Sequence, residues 1–277
     1  MSNLLIQAYR KPSLYVTLPS GGKYYDIKPK LSVDGDLAVY AMTARDELIT
    51  KTPDALFNGE ATSAIIRSCC PDIANPDTVP VNDLLVILLA IRQATYGKDL
   101  NVDVKCPSCS ELNMLAVDAN RVLASAKQIK IDDCIVLKNE FKIGLKPYNL
   151  KDRTLLQIQQ IKQKKMIESL ISTEIDEDQR GDIFGRTFVE LAELTIKLVA
   201  NSITSVTLAE SGEIVTDAET IDEWLQTITK VDYEMIKDLV EQLSKPAIDT
   251  NFKATCQTCG HNWSTDVDLD IANFFVG

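Results

Sequence analysis

Four cysteines, arranged as two Cys-x-x-Cys pairs, are the residues whose type and spacing in this sequence could do chemistry. The pairs are Cys106-Pro-Ser-Cys109 and Cys256-Gln-Thr-Cys259, and Gly260 follows the second one. A Cys-x-x-Cys turn is tight enough to direct two thiolates at one tetrahedral ion, and four thiolates form a closed structural zinc site. The sequence therefore predicts one structural zinc ion held by Cys106, Cys109, Cys256 and Cys259.

Each cysteine pair lies between two predicted strands, which is the arrangement of a zinc knuckle, and two facing knuckles form a zinc ribbon. The chain between the knuckles is much longer than the loop of an ordinary ribbon, so we expect residues 120–248 to be an insertion. Three other interpretations remain open: two unrelated pairs, ordinary buried thiols, or one redox pair of the thioredoxin type. No strand, Cys-x-x-Cys and helix follow one another in the order that a redox pair requires.

The remaining cysteines and the single histidine offer weaker candidates for metal ligands. Cys69, Cys70 and Cys134 are interpreted as small core side chains, because free cysteine is among the most buried residue types. His261 could replace one of the cysteine ligands, but its place directly after the second knuckle favours a local hydrogen bond.

The sequence offers no set of residues typical of an active site. With one histidine beside a knuckle, neither a Ser-His-Asp triad nor a Cys-His pair can be assembled. Gly21-Gly22-Lys23 resembles a phosphate-binding loop, but Tyr24 stands where that loop requires Ser or Thr, so a plain turn is expected. We therefore expect no enzyme, with a zinc-dependent or redox enzyme as an alternative that would need an open ligand position or a reactive thiol.

The charge of the chain bears on its partners. It has 29 Lys and Arg against 40 Asp and Glu, a formal net charge of −11 over 277 residues. Binding along a nucleic-acid backbone requires clustered basic residues, whereas acidic residues surround the two knuckles: Asp103, Asp266, Asp268 and Asp270. A nucleic-acid-binding or regulatory zinc ribbon is therefore the alternative, and protein partners are the first choice.

The N-terminus lacks the basic and long apolar stretches of a signal peptide. The most apolar run, from Leu84 to Ile91, is about half the ~20 residues needed to cross a bilayer, so it is interpreted as a buried core helix. An odd number of cysteines, seven, without an export signal favours a reducing compartment over a disulfide framework.

The pattern of elements predicts an α+β fold, mainly helical with small antiparallel β elements that include the split four-cysteine zinc ribbon. Residues 1–40 are predicted to be extended, 41–119 helical with the first knuckle, 120–248 a mainly helical insertion, and 249–277 the second knuckle and a tail. Thr43 is a predicted helix N-cap, Val81 to Tyr96 a helix that ends at Gly97, and Thr220 the start of a later helix with capping-box spacing.

Several short segments occur in an order that is typical of one protein family. They are Leu18-Pro-Ser-Gly-Gly-Lys-Tyr-Tyr25, Met42-Thr-Ala-Arg-Asp-Glu47, Leu56-Phe-Asn-Gly59, Asp83 to Gly97 and Val104-Lys-Cys-Pro-Ser-Cys109. In this order they resemble the baseplate hub protein family of T-even contractile-tailed bacteriophages, over residues 14–118, and the knuckle at 256–261 fits the same plan.

The resemblance implies a non-catalytic component of the tail baseplate hub, or a factor that helps to assemble it. It implies other baseplate, hub and tape-measure proteins as partners, without nucleic acid or membrane insertion, and leaves a homo-oligomer open. The location that it implies is the virion tail, or the host cytoplasm during assembly.

The apolar N-terminal segment could supply contacts for such a role. This segment covers residues 1–27, and its apolar and aromatic residues include Leu4, Leu5, Ile6, Tyr9, Leu14, Tyr15, Tyr24 and Tyr25. Two interpretations stay open, binding of other tail proteins or packing on the helices that follow.

Overall fold

The computed structural model of the chain describes residues 9–50, 59–130, 132–138, 140–172 and 177–266. Within these ranges helices alternate with small antiparallel sheets, which confirms the predicted α+β class. The chain divides into two compact units, one formed by Met1–Ile129 with Pro246–Gly277 and the other by Lys130–Lys245. Residues 1–8, which include Leu4, Leu5 and Ile6 of the N-terminal segment, lie outside the described residues.

Among the described residues, the first unit opens with two paired strands that are followed by helices. Strand β1 (Leu14–Thr17) pairs antiparallel with β2 (Asp36–Val39), and helices α1 (Ala44–Thr50), α2 (Glu60–Cys69) and α3 (Val81–Tyr96) follow. Asp-Gly is a typical hairpin turn, but Asp34-Gly35 lies directly before β2, and 18 residues separate the two strands. Gly35 has the positive φ of 87° that this turn requires.

Helix α3 is the core of this unit, as its apolar run predicts. Seven of its apolar side chains are completely buried: Leu84, Val86, Ile87, Leu88, Leu89, Ala90 and Ile91. A helix that is apolar on nearly every side must be surrounded by other elements, and α3 packs against β1, β2 and α2. It ends at Gly97, whose φ of 88° confirms the predicted stop.

Side-chain caps test two predicted helix starts, at Thr43 and at Thr220. At α1 the carboxylate of Asp46 accepts hydrogen bonds from the backbone N–H (2.8 Å) and hydroxyl (2.7 Å) of Thr43, and the Asp46 N–H donates to that hydroxyl oxygen at 3.3 Å. Thr43 therefore caps α1 as predicted. The prediction for Thr220 was wrong: the helix begins at Ala218, and Asp217 is the N-cap, accepting the Thr220 N–H at 2.9 Å.

The first unit continues into the hairpin of β3 (Asp99–Lys105) and β4 (Leu112–Asp118), followed by the short helix α4 (Ala119–Ala124). Asp118 caps α4 by accepting the backbone N–H of Asn120 at 2.9 Å.

The second unit combines a four-stranded antiparallel sheet with four helices. The sheet order is β5 (Cys134–Val136), β6 (Lys142–Leu145), β7 (Ile203–Thr207) and β8 (Ile214–Val215), so β5–β6 and β7–β8 each form a hairpin. The helices are α5 (Leu150–Ser172), α6 (Glu177–Asn201), α7 (Ala218–Leu225) and α8 (Lys230–Leu243). The buried apolar side chains of the unit include Ile143, Leu145, Leu198, Val199, Val206, Ile221, Leu225, Ile236, Val240 and Leu243.

The chain then returns to the first unit as the hairpin of β9 (Asn251–Thr255) and β10 (Asn262–Asp266). The segments that lead into and out of residues 130–245 are bonded to each other within the first unit. The Lys127 N–H donates to the carbonyl of Ala247 at 2.9 Å, and the Asp249 N–H donates to the hydroxyl of Ser125 at 2.9 Å. In the described ranges, no helix combines the length and hydropathy that crossing a membrane requires.

Candidate metal centre

The two hairpins that carry the cysteine pairs share one local geometry. In the first, the Cys106 N–H donates to the carbonyl of Glu111 at 2.9 Å, and in the second the Cys256 N–H donates to the carbonyl of His261 at the same distance. The strands close around these turns in the same register, with Lys105 opposite Leu112 and Thr255 opposite Asn262. The second hairpin therefore repeats the first with an offset of 150 residues (256 − 106).

Each turn closes through a residue in the left-handed backbone region. The Gly260 N–H donates to the Cys256 carbonyl at 3.0 Å, and Gly260 has a φ of 72°. At the equivalent position Ser110 donates to the Cys106 carbonyl at 2.9 Å with a φ of 62°. Glycine adopts this region without steric cost, whereas a serine there is strained. Gly260 therefore suits the turn after the second cysteine pair, whereas Ser110 adopts the same backbone conformation at a steric cost.

The hairpins bring all four cysteine sulfurs together, each within 4.8 Å of every other. The Sγ atoms of Cys106 and Cys259 are 3.7 Å apart, and those of Cys109 and Cys256 are 3.6 Å apart. A disulfide would require about 2.05 Å. A regular tetrahedron of thiolates around an ion with bonds near 2.3 Å has sulfur–sulfur edges of about 3.8 Å. The arrangement is therefore close to that of a four-thiolate metal site.

The surroundings of the sulfurs shift the pKa values of the Cys256 and Cys109 thiols in opposite directions. Cys106 and Cys256 are buried, whereas Cys109 and Cys259 are exposed. The backbone N–H of Cys259, helped by that of Thr258 and by the Asn113 amide, lowers the pKa of the Cys256 thiol to about 6. For Cys109 the Glu111 N–H lowers the pKa, but hydrogen bonds with the other three thiols and burial outweigh it and raise the pKa to about 12. Four thiols this close cannot all ionise without a cation, so the cluster has the chemistry of a cation site.

Asn113 on β4 is a site residue that the sequence pattern did not reveal. Its buried side chain accepts the Gln257 N–H at 2.9 Å and donates to the Glu111 carbonyl at 3.0 Å. The same amide nitrogen lies 3.6 Å from the sulfur of Cys256. Hydrogen bonds of this kind orient metal ligands. The only signal in the sequence is a polar residue at a position where the strand faces inward.

The other candidate ligands lie outside the cluster. The His261 ring stacks on Trp263 with centroids 6.1 Å apart and an interplanar angle of 12°. Cys69 and Cys70 are completely buried, and burial raises their pKa values above the ordinary thiol value. Cys134 is half-buried on β5 in the second unit. In the described part of the chain, the metal-capable group therefore consists of the four predicted cysteines.

Comparison with known proteins identifies the family. The family model described as T4 bacteriophage base plate protein matches residues 11–276. The chain belongs to this family. No curated protein and no solved structure matches the chain.

Family membership makes this chain a T4-type base plate protein, a structural component of a phage tail. The match to the base plate family thus covers nearly the whole chain, well beyond residues 14–118. The matched region of this base plate protein contains both hairpins and all four cysteines.

Proposed function

We propose that this base plate protein is a non-enzymatic component of the tail baseplate hub, or a factor that assembles it, and that it acts by protein contacts. The observation that carries the proposal is the family match over residues 11–276, which includes the four-cysteine cluster. The hub assignment draws its support from the ordered segments between Leu18 and Cys109 that resemble hub proteins.

In the proposed role the cluster holds one structural zinc ion through Cys106, Cys109, Cys256 and Cys259. Four thiolates leave zinc no open position for substrate or water, so the ion supplies stability and no chemistry. Its effect is to join two segments that are far apart in sequence, since Cys109 and Cys256 are separated by 147 positions. Four-thiolate sites also suit iron, and elemental analysis distinguishes the two metals.

The charge around the cluster supports a protein partner over a nucleic acid. The exposed residues of the hairpins include the carboxylates Asp99, Asp103 and Asp266, and a phosphate backbone would be repelled by them. The net charge of −11 acts in the same direction. A basic or apolar surface on another tail protein is the complementary partner.

Quantitative mass spectrometry of purified tails and of assembly intermediates tests the hub assignment. We expect the chain to co-purify with the hub subassembly before complete base plates form. A chain that remains in finished particles is a hub component, and one that is present only in intermediates is an assembly factor. If it co-purifies solely with base plate proteins outside the hub, the hub assignment is wrong while family membership stands.

A further inference from the structure

The outward face of strand β4 carries exposed apolar side chains. Leu112 is 59% exposed and Met114 is 66% exposed, and Ala116 beside them is also exposed. The inward side chains of this strand are Asn113, Leu115 and Val117. Water therefore contacts three apolar residues in a row on one side of a two-stranded sheet.

The second hairpin shows that the fold does not require apolar residues there. At the equivalent positions, 150 further along the chain, β10 has Asn262, Ser264 and Asp266, all of them exposed. Both hairpins hold two cysteines in the same turn geometry, so the difference is not explained by the metal centre. Exposed apolar strands favour aggregation, and a protein that keeps one commonly uses it for binding.

Strand β4 also has an open edge. Its described pairing is with β3 alone, so the backbone groups along its other edge are available to an added strand. The exposed charges around this face are mostly carboxylates: Glu111 just before the strand, Asp118 at its last residue, and Asp103 opposite Met114. One exposed cation, Lys105 opposite Leu112, leaves the surroundings net negative. A second copy of this chain, related by a two-fold axis, would place these carboxylates against each other.

We propose that β4 binds an extended segment of another tail protein, apolar at alternate positions and basic near its ends. The apolar side chains cover Leu112, Met114 and Ala116, and Lys or Arg residues meet Glu111 and Asp118. Backbone hydrogen bonds along the open edge supply affinity, whereas side-chain alternation supplies specificity. The inference rests on the proposed contact-forming role in the base plate.

Site-specific photo-cross-linking in cells that assemble tails tests the inference. A photoreactive phenylalanine analogue replaces Met114 in one variant of the full chain and Ser264 in a second, matched variant. We expect position 114 to cross-link to one tail protein, in a peptide with alternating apolar residues and flanking Lys or Arg. Position 264 should give at most a tenth of that yield. Equal yields at the two positions, or a cross-linked peptide that is acidic, would overturn the proposal.

Each alternative occupant of the β4 face gives a different cross-linking result. A cross-link from position 114 to a second copy, or to residues 267–277 of the same chain, would overturn the proposal in favour of self-association or self-coverage. The double variant Leu112→Asn with Met114→Ser gives β4 the residues that β10 has at the first two of the three outward positions. We expect this variant to keep its metal and lose at least tenfold in partner recovery. Undiminished recovery would overturn the inference with the base plate role intact, whereas absence of the unaltered chain from all tail assemblies would overturn the role itself.

Discussion

The side-chain amide nitrogen of Asn113 lies 3.6 Å from the sulfur of Cys256, although 143 positions separate the two residues. The same side chain accepts the Gln257 N–H at 2.9 Å and donates to the Glu111 carbonyl at 3.0 Å. One buried amide therefore contacts both cysteine turns. It helps to set their spacing through bonds of its own, in addition to any shared metal.

Replacing Asn113 by Ala should weaken the metal site without emptying it. The Gln257 N–H and the Cys256 sulfur both lose a partner, so we expect metal affinity to fall about 10–100-fold and unfolding free energy to fall by about 1–3 kcal/mol. Competition with a chelator and urea denaturation measure the two effects. The matched control is Asn101→Ala, an exposed residue on β3, which should change neither. Equal effects of the two variants would contradict the role given to Asn113.

Sequence reasoning located what depends on local spacing and missed what depends on tertiary contacts. The cysteine pairs and the buried helix α3 follow from short patterns, and the structure confirms that both pairs meet in one cluster. Asn113 acquires its role only from Gln257, which is 144 positions away. The helix start at Thr220 was misplaced because Asp217 also has the three-residue spacing of an N-cap. Its carboxylate accepts the Thr220 N–H and so caps the helix three residues earlier.

The four cysteines should act as one unit. We expect one zinc ion per chain, and we expect Cys106→Ser and Cys259→Ser each to abolish binding and to destabilise the first unit by about 4 kcal/mol, because either change empties the same site. Elemental analysis and thermal unfolding provide the measurements. Cys134→Ser in the second unit is the control and should retain the metal. If one of the two ligand variants keeps a full complement of metal, the pairs do not share an ion.

The equivalent turn residues Ser110 and Gly260 should respond oppositely to substitution. Ser110 adopts a φ of 62°, so Ser110→Gly should raise unfolding free energy by up to about 1 kcal/mol. A Cβ added at Gly260 would meet no atom within 4 Å, so Gly260→Ala should cost about 1 kcal/mol through backbone strain alone. Urea denaturation of the metal-loaded proteins measures both. Changes of the same sign would mean that the two turns are not equivalent in energy.

Asp83 lies buried at the start of α3 and organises the turn after β1. Its carboxylate accepts the Ser20 N–H at 2.8 Å, the Ser20 hydroxyl, and the Tyr25 hydroxyl at 2.9 Å. Burial raises the pKa of Asp83 to about 6, although these three hydrogen bonds act to lower it. The native state therefore holds a proton on Asp83 in a pH range where the unfolded chain has lost it.

The consequence is a stability that decreases as pH rises. The protonated carboxyl favours the native state fully below the unfolded value of 3.8, and this contribution is lost as pH rises through about 6. We expect unfolding free energy to fall across this window relative to Asp83→Asn, by about 3 kcal/mol at most. Denaturation of both proteins from pH 4 to 7 isolates this carboxyl from other titrating groups. The exposed Asp26→Asn variant should follow the unaltered protein, and a parallel profile for Asp83→Asn would rule out the assignment.

The first unit should fold and bind metal without residues 130–245. All four cysteines belong to it, its core helix α3 packs on β1, β2, α2 and α4 of the same unit, and the Lys127 N–H already bonds the Ala247 carbonyl at 2.9 Å. Because this bond holds the chain near Ile129 close to the chain near Pro246, a short Gly-Ser linker can join the two residues. Closing a loop of few residues costs little entropy. We expect the shortened chain to hold one metal ion per molecule and to unfold cooperatively, with a transition that a chelator shifts to lower temperature.

The same shortened chain with Cys106→Ser is the control and should show no chelator effect. A shortened chain that folds without metal, while the full chain retains its ion, would mean that residues 130–245 are needed to hold the two cysteine hairpins together.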